Sequence, residues 1–246
     1  MSKKNLLVFV LCVVGLLVAC KDDYRENRYK ADPDAVYFDY TVIGDEESNH
    51  ITVKLQYRIG GPDGRTRFIP EGGRVEFDGE EVKADSSKMN GIWYEVIKPL
   101  NDFDGRHVIV LTNSDRVYKE VFDFKAISLK KKVPAVIDRG DLVFELGGLD
   151  TVAYIRVLLT DTAFYSRGID RIDTVRDGRI FISRSELDNL KNGPVTIEFY
   201  RETEKELMEA PVRGGRLAIS YGLRRVFELR DSVNSTSPEK PKSEVH

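Results

Sequence analysis

Residues 161–168 include the side chains best suited to binding a ligand. This segment follows the apolar run 152–159 and places Phe164 and Tyr165 beside Arg167. Aromatic rings and arginine dominate many protein interfaces, and an aromatic ring can also stack against a sugar. The alternative interpretation is that one of the two rings packs into the core, where aromatic side chains are often found. We predict Phe164, Tyr165 and Arg167 as candidate ligand-binding residues.

Motifs of catalytic sites are sparse in this sequence. His50, His107 and His246 lack the spacing of a zinc site, and the first two are expected to be solvated at strand starts. No G-x-S-x-G motif of serine hydrolases and no phosphate-binding glycine loop occurs. Residues 128–131 match the S-x-x-K motif of penicillin-recognising enzymes, but its companion motifs S-D-N and K-T-G are missing. The sequence therefore predicts no catalytic residues and a protein that is not an enzyme.

Residues 101–105, Asn-Asp-Phe-Asp-Gly, have a composition that calcium sites use. If Gly105 were the sixth position of an EF-hand loop, Leu100 and Leu111 would fill the first and twelfth positions, where leucine cannot act as a ligand. An EF-hand is therefore excluded. A looser calcium site remains open, although an Asx turn between strands is the commoner use of such residues. We predict no metal ligands and no cofactor.

The elements that must position these residues are mostly short β-strands in the first half of the chain. Residues 51–58 alternate between apolar and polar without a fault, which predicts that Ile51, Val53, Leu55 and Tyr57 line one buried face. Trp93 is expected to fill the core. Further strands are predicted at 36–40, 75–77, 92–97, 108–112 and 117–126, with a hairpin turn at Asp78 and Gly79 that leads to Val82. Residues 35–129 are therefore predicted to form an immunoglobulin-like β-sandwich.

The second half of the chain has the same pattern after a boundary at residues 130–134, Lys-Lys-Lys-Val-Pro. Strands are predicted at 142–146, 152–159, 179–182, 195–200, 216–221 and 226–229. A capping box at Ser183 and Glu186 predicts a short helix near 185–191. Residues 133–230 are predicted to form the second β-sandwich-like module, and residues 231–246 are predicted to form a disordered tail. The predicted fold is mainly β, with tandem immunoglobulin-like β-sandwich modules and one short helix in the second.

The N-terminal residues have the pattern of a signal peptide. A short basic segment precedes residues 6–19, which are all apolar and too few to span a membrane. Leu17-Val18-Ala19-Cys20 resembles the lipobox of bacterial lipoproteins, in which the cysteine is lipidated and becomes the new N-terminus. This resemblance implies that residues 1–19 are removed and that acyl chains such as palmitate on Cys20 anchor the protein to a membrane.

Lys21-Asp22-Asp23 resembles the short acidic export signal that follows the lipidated cysteine in surface-exposed lipoproteins of the Bacteroidota. The resemblance implies a protein anchored in the outer membrane and exposed on the cell surface, with a periplasm-facing location as the alternative. Residues 20–34 are charged and contain few apolar side chains, so we expect the lipidated cysteine to be followed by a flexible stalk.

Composition narrows the classes of partner. The chain has 38 basic and 41 acidic residues, a net charge of −3, so it lacks the basic surplus typical of nucleic-acid-binding proteins. Besides Cys20, the chain contains only Cys12, which lies in the predicted signal peptide, so no disulfide is expected.

Three classes of function remain. The leading hypothesis is a non-catalytic, lipid-anchored envelope protein that binds a protein or assembles with one outside the cytoplasm. The alternative is a carbohydrate-binding accessory lipoprotein of a glycan-uptake system, which requires an exposed aromatic platform. The third is a glycosidase, which needs no motif but requires two carboxyl groups about 5 to 9 Å apart in a cleft. Small sandwiches seldom provide such a cleft, so this hypothesis ranks last.

Overall fold

The computed structural model describes residues 35–113, 116–163 and 166–231, and most of these residues lie in β-strands. No helix within these ranges is long and apolar enough to cross a membrane. The mainly β fold class predicted from the sequence is confirmed. The strands are β1 (Val36–Asp45), β2 (His50–Ile59), β3 (Arg74–Phe77), β4 (Glu80–Glu81), β5 (Ala84–Ser87), β6 (Gly91–Pro99), β7 (Gly105–Asn113), β8 (Arg116–Phe124), β9 (Ser128–Leu129), β10 (Val136–Asp138), β11 (Leu142–Gly147), β12 (Val152–Asp161), β13 (Ile169–Arg176), β14 (Arg179–Ile182), β15 (Gly193–Glu206) and β16 (Gly215–Arg230).

Strands β1 to β8 form the first sandwich. One layer has the order β5-β6-β2-β1 and the other has the order β4-β3-β7-β8. If β1 to β8 are named A, B, C, C′, D, E, F and G in chain order, the first layer consists of D, E, B and A and the second of C′, C, F and G. This is the strand arrangement of the immunoglobulin fold. The two layers pack through their inner side chains, as shown by Phe38 of β1 and Tyr118 of β8, whose ring centroids are 5.1 Å apart.

The alternation predicted for residues 51–58 is present in β2. Ile51, Val53 and Leu55 have no exposed surface, and Tyr57 is 2% exposed. The alternating pattern directs these side chains to one face, which the opposite layer covers. This strand therefore supplies a continuous part of the core.

The predicted hairpin turn between β3 and β4 is also present. Asp78 and Gly79 both have positive φ angles, 51° and 83°, as a two-residue type I′ turn requires. Aspartate tolerates this backbone region better than most residues, and glycine adopts it without a steric penalty.

The prediction that Trp93 fills the core is wrong. Its neighbours Ile92 and Tyr94 are buried, whereas Trp93 is only half-buried on the outward face of β6. There the Nζ atom of Lys54 lies 5.1 Å from the indole ring centroid. Tyr94 points inward because its hydroxyl accepts a hydrogen bond from the backbone amide of Ile69, and strand alternation then turns Trp93 outward.

Strands β9 to β16 form the second sandwich. One layer has the order β10-β16-β15-β12-β13 and the other has the order β14-β11-β9. Phe144 of β11 and Phe199 of β15 belong to strands that do not pair with each other, yet their ring centroids are 5.4 Å apart across the two layers. The single residue pair Arg176 and Arg179 joins β13 to β14 and so connects the layers at one edge.

A long hairpin joins the two sandwiches. Strands β15 and β16 have 14 and 16 residues, and β16 pairs in parallel with β1 from Phe38 to Asp45. We call this parallel pairing of residues 38–45 with residues 215–222 the seam. Backbone hydrogen bonds therefore run from one sandwich into the other within a single sheet. The division into modules at 35–129 and 133–230 remains a prediction from the sequence.

The part of this hairpin farthest from the second sandwich, residues 202–220, is called here the hairpin tip, and it packs on β8. The Nζ atom of Lys205 lies 2.6 Å from Oε1 of Glu120, which is 2% exposed. The amide of Met208 donates to the other oxygen of Glu120 at 2.8 Å, and the amide of Lys119 donates to Glu209 at 2.7 Å. The hairpin tip thus covers the edge of the first sandwich between β1 and β8.

A buried carboxylate reinforces the seam on its outward face. Asp39 of β1 is 5% exposed and lies between two arginines from neighbouring strands. Arg58 of β2 donates to one oxygen at 2.8 Å, and Arg216 of β16 donates to the other at 2.9 Å. Because Arg216 belongs to the hairpin tip, this arrangement couples the two halves of the chain electrostatically.

The only α-helix in the described ranges, α1 (Arg184–Leu187), is shorter than the predicted segment 185–191. The predicted capping box is present, since the amide of Ser183 donates to Oε2 of Glu186 at 2.8 Å. Leu187 and Leu190 are buried and belong to the hydrophobic core.

The buried Arg139 holds the end of this helical segment. Its guanidinium donates to the carbonyl oxygens of Leu187 and Leu190, to Asn192 at 2.7 Å and to Asp231 at 3.0 Å. Asp231 is the first residue of the predicted tail, and it is held by this contact. Residues 232–246 lie outside the described residues.

Candidate interaction surface

The outward face of the second sandwich exposes several large apolar side chains. Tyr154 is 64% exposed and Ile172 is 68% exposed, and Val152 at the start of β12 is also exposed. These residues lie on adjacent strands, because β12 pairs with β13 and strand alternation places even-numbered residues of both strands outward. We call this face, formed by the outward residues of β12, β13, β15 and β16, the candidate interaction surface.

An arginine lies at the centre of this surface. Arg156 is directly opposite Ile172 on one side and Tyr200 on the other. Its Nε and Nη2 atoms donate to the two oxygens of Asp170, each at 2.8 Å. Hydrogen bonding to Arg156 lowers the pKa of Asp170, and the same contact raises the pKa of the arginine. The pair keeps the guanidinium in a fixed, planar orientation among exposed apolar side chains.

Tyr200 has a defined position next to this pair because of a glycine on β16. A Cβ atom built on Gly222 would lie 2.6 Å from Cε1 of Tyr200, so the ring occupies the space that a side chain at position 222 would need. The hydroxyl of Tyr200 donates to Glu198 at 3.4 Å. Partial burial, followed by the charge of Glu198, raises the pKa of this tyrosine.

The loop between β12 and β13 contains the residues singled out by the sequence. Arg167 is exposed there, whereas Phe164 and Tyr165 lie outside the described residues. Their proposed role therefore stays a prediction. Gly168 has a φ angle of 59°, and a Cβ atom at this position would lie 2.5 Å from the carbonyl oxygen of Leu159. Only glycine fits this close return of the chain.

Asp161 fixes the start of the same loop. It accepts hydrogen bonds from the amide of Ala163 at 2.9 Å and from the amide of Lys191 at 2.6 Å. Burial alone would raise the pKa of this carboxyl group, but the two amide hydrogen bonds, a hydrogen bond with the Ser166 side chain and the charge of Lys191 together lower it. The loop that includes Arg167 is thus attached to the segment that follows α1.

Two residues of the segment considered for calcium binding, Phe103 and Asp104, have structural contacts. Asp104 accepts a hydrogen bond from the amide of Ala126 at 3.0 Å, and Phe103 is fully buried. In the described ranges, no group of three or more histidine, cysteine, aspartate or glutamate side chains lies close enough to hold a metal ion.

The expectation that His107 is solvated is wrong, whereas His50 is exposed. The Nδ1 atom of His107 lies 2.8 Å from Asp78, and its Nε2 atom lies 2.7 Å from the carbonyl oxygen of Phe103. Its ring also stacks on Phe103 with centroids 4.0 Å apart. The buried side chain ties the turn after β3 to the start of β7, a contact between segments distant in sequence.

Acidic side chains do line two surface hollows at the hairpin tip, where Glu202, Glu204 and Glu206 alternate along β15. They are exposed, and Glu204 lies 3.3 Å from Arg216. The S-x-x-K lysine, Lys131, is exposed and forms an ion pair with Glu145.

Cys20 and the segment Lys21-Asp22-Asp23 lie outside the described residues, so lipidation and export remain predictions.

Sequence analysis missed the residues of the candidate interaction surface. The alternation of residues 152–159 was a usable signal, because burial of Ala153, Ile155 and Val157 places Tyr154 and Arg156 outward.

Comparison with known proteins gives no family. No protein-family model and no curated protein matches the chain. Similar solved structures include the two immunoglobulin domains of DIP-gamma, with 9% identity, a TM-score of 0.22, and coverage of 75% of this chain and 94% of that chain. A titin fragment, A168169, has 10% identity, a TM-score of 0.24 and coverage of 77% and 98%.

A third similar structure, from work on host cell surface retention of a 1.5-MDa bacterial ice-binding adhesin, has 12% identity and a TM-score of 0.25. The matched region covers 82% of this chain and 67% of the chain in that structure. Likeness at these TM-scores carries no argument about function. The immunoglobulin-like assignment therefore rests on the strand order of the two sandwiches.

Proposed function

We propose that this chain is a non-catalytic, lipid-anchored protein of the bacterial cell envelope that binds a protein partner through the candidate interaction surface. The observation that carries the proposal is the exposure of Tyr154 and Ile172 around the fixed guanidinium of Arg156. Aromatic side chains, large aliphatic side chains and arginine form the centres of protein interfaces, whereas exposed apolar groups of this size are unfavourable in water.

The position of this surface suits a tethered protein. β1 begins beside the hairpin tip, since the amide of Phe38 donates to the carbonyl oxygen of Gly214. β16 runs parallel to β1 for eight residue pairs and then continues to Arg230. At about 3.3 Å per residue, its 16 residues span about 50 Å. An anchor that precedes residue 35 would therefore hold the first sandwich near the membrane and present the second sandwich away from it.

Photo-crosslinking in intact cells tests the surface. A photoreactive amino acid at position 154 or 172 is expected to give a discrete adduct with a protein partner. The matched control is position 181, because Phe181 is 53% exposed in β14 of the opposite layer. The proposal fails if position 181 gives the same adducts as 154 and 172, or if the two surface positions give none.

The anchor and the location have separate tests. Replacing Cys20 with alanine is expected to abolish incorporation of labelled palmitate and to release the protein from the membrane fraction. Replacing Lys21, Asp22 and Asp23 with alanine is expected to protect the protein from protease added to intact cells. If the native protein is itself protected while still carrying the lipid, the surface location is wrong and a periplasm-facing location replaces it.

Carbohydrate binding is the alternative function. The exposed ring of Tyr154 favours it, because a solvent-facing aromatic ring can stack on a sugar. Binding to immobilised envelope polysaccharides that is lost in a Tyr154→Ser variant, together with no protein adduct from position 154, would support this alternative. Retained binding in the variant would remove Tyr154 from that role.

A further inference from the structure

A small cavity in the first sandwich has an unusual polar group in its wall. It is lined mostly by apolar side chains, including Val36, Phe38 and Ile69, and also by Arg67 and Tyr118. It lies far along β1 from the second sandwich, because Val36 is the first residue of that strand. The cavity is therefore separate from the candidate interaction surface.

Arg67 is 2% exposed, and its guanidinium is incompletely bonded. Its Nε atom donates to the carbonyl oxygen of Phe68 at 3.3 Å, but neither Nη atom has a hydrogen-bond partner among the residues that the structure describes. The hydroxyl of Tyr118, in the same wall, also lacks one within that part of the chain. Burial of the guanidinium lowers the pKa of Arg67.

Arg139 is a second buried arginine, and its hydrogen bonds can be compared with those of Arg67. At 8% exposure, Arg139 donates to two carbonyl oxygens, a side-chain amide oxygen and a carboxylate. A buried charge is costly unless it is paired and hydrogen-bonded. Arg67 is more deeply buried and has only one such contact. The difference indicates that Arg67 receives its remaining hydrogen bonds from an acceptor that enters the cavity.

Size and donor chemistry define that acceptor. The volume open to the centre of a water molecule is about 20 Å³, and one water needs about 10 to 15 Å³ of such space. The space beside the guanidinium thus admits the two oxygen atoms of a carboxylate, whose remaining atoms extend towards the open side of the pocket, whereas a phosphate group brings four oxygen atoms. A guanidinium presents two parallel N–H groups that match the two oxygens of a carboxylate. We infer that the cavity binds a carboxylate group, held by the Nη atoms of Arg67 and the hydroxyl of Tyr118.

The carboxylate has two sources, a separate molecule or an acid of the same chain. Outside the described residues, the acids nearest in sequence to the cavity residues are Asp34, two residues before Val36, and Asp115, two residues after Asn113. A titration with sodium acetate, at an ionic strength kept constant with sodium chloride, distinguishes these sources. The readout is the set of backbone amide NMR signals of residues 67–69, with chloride alone as the reference.

Saturable shifts of these signals in the native protein, caused by acetate and not by chloride, support an external carboxylate. If the native protein does not respond but an Asp34→Asn or Asp115→Asn variant does, the site is occupied by that acid and the inferred chemistry still holds. If neither the native protein nor either variant responds to acetate, the inference is overturned.

Two variants test the assigned side chains. Tyr118→Phe keeps the ring that packs at 5.1 Å against Phe38 and removes only the hydroxyl, so the acetate dissociation constant is expected to rise about tenfold. Arg67→Lys keeps the charge but loses the planar pair of donors, so saturable binding is expected to disappear. Arg65→Lys is the matched control, because Arg65 is exposed two residues earlier and should leave acetate binding unchanged. Equal affinity in Tyr118→Phe and the native protein would overturn the assignment of the hydroxyl.

Discussion

The seam predicts that the two sandwiches unfold as one unit. If they do, damage to the second sandwich must lower the stability of the first. Leu159→Ala is a suitable perturbation because Leu159 is fully buried in the second sandwich, between Ile169 and Ile197 on the neighbouring strands. It lies outside the hairpin, so its replacement removes no contact of the seam itself.

The expected loss follows from this burial. Replacing a fully buried leucine with alanine lowers the free energy of unfolding by about 3 kcal/mol, within a usual range of about 2 to 5. The described part of the chain has about 200 residues, for which the entropy of unfolding is about 0.4 kcal/mol/K at the transition. A single cooperative unit should therefore melt about 7 °C lower in the Leu159→Ala variant.

The assay uses the fluorescence of Trp93, which is the only tryptophan of the chain and belongs to the first sandwich. Hydrogen exchange of peptides from β12 reports separately on the second sandwich. Ile172→Ala is the control, because Ile172 is exposed in the same sandwich and should change the melting temperature by less than about 1 °C. An unchanged Trp93 transition in Leu159→Ala, alongside faster exchange in β12, would show that the sandwiches unfold independently.

Three further predictions concern single contacts. Lys205→Met leaves Glu120 buried without its ion pair, and we expect a loss of about 2 kcal/mol in urea unfolding, below the value for a fully buried pair because Lys205 is half-exposed. Gly222→Ala places a methyl group against the Tyr200 ring, so we expect altered near-ultraviolet circular dichroism and a loss of about 1 to 2 kcal/mol. Asp161→Asn should destabilise the protein near neutral pH, and this difference should shrink as the pH falls through the ordinary carboxyl pKa of 3.8 towards the lower pKa of the folded state.

The sign of the Asp161 effect follows from its lowered pKa in the folded protein. A carboxyl group with this shift stabilises the fold above its unfolded pKa and loses the effect on protonation. A difference in stability between native protein and Asp161→Asn that grows on acidification would contradict this sign.

For the Lys205→Met prediction, the control is Lys131→Met, since the exposed pair of Lys131 and Glu145 should contribute less than about 1 kcal/mol. An unaltered tyrosine spectrum in Gly222→Ala would show that the ring was not held there.

The alternation of apolar and polar residues in the sequence was sufficient to predict strands that bury one face. Residues 51–57 alternate because one layer of the sandwich covers every second side chain, and this pattern is written in the sequence itself. The capping box at Ser183 and the turn at Asp78 were predictable for the same reason, since each depends on hydrogen bonds or dihedral angles within a few residues.

Features that depend on distant partners were not predictable. β13 is rich in charged residues and was missed, because it is an edge strand that is stabilised by pairing with β12 rather than by its own apolar content. The sequence also predicted two strands where β16 is continuous from Gly215 to Arg230, since Gly222 and the following arginines interrupt the apolar pattern. The pairing of β16 with β1, which joins residues about 180 positions apart, leaves no local signal.

In the candidate interaction surface, too, some features follow from the local sequence and others depend on strands that are distant in the sequence. The outward direction of Tyr154 follows from the buried alternation of β12. Its proximity to Ile172 does not, because it requires the register between β12 and β13. Similarly, no sequence pattern shows that Arg67 is buried without the hydrogen bonds that Arg139 has.

The direction of the seam determines how the molecule carries a mechanical load. β1 and β16 run in parallel, and a tether at the N-terminus would pull β1 towards its start while a partner on the second sandwich pulls β16 towards its end. This geometry applies shear along the strands, so the hydrogen bonds between them share the force instead of opening one after another. A pull on the second sandwich would therefore reach the tether through adjacent strands, without first stretching the chain that folds the first sandwich.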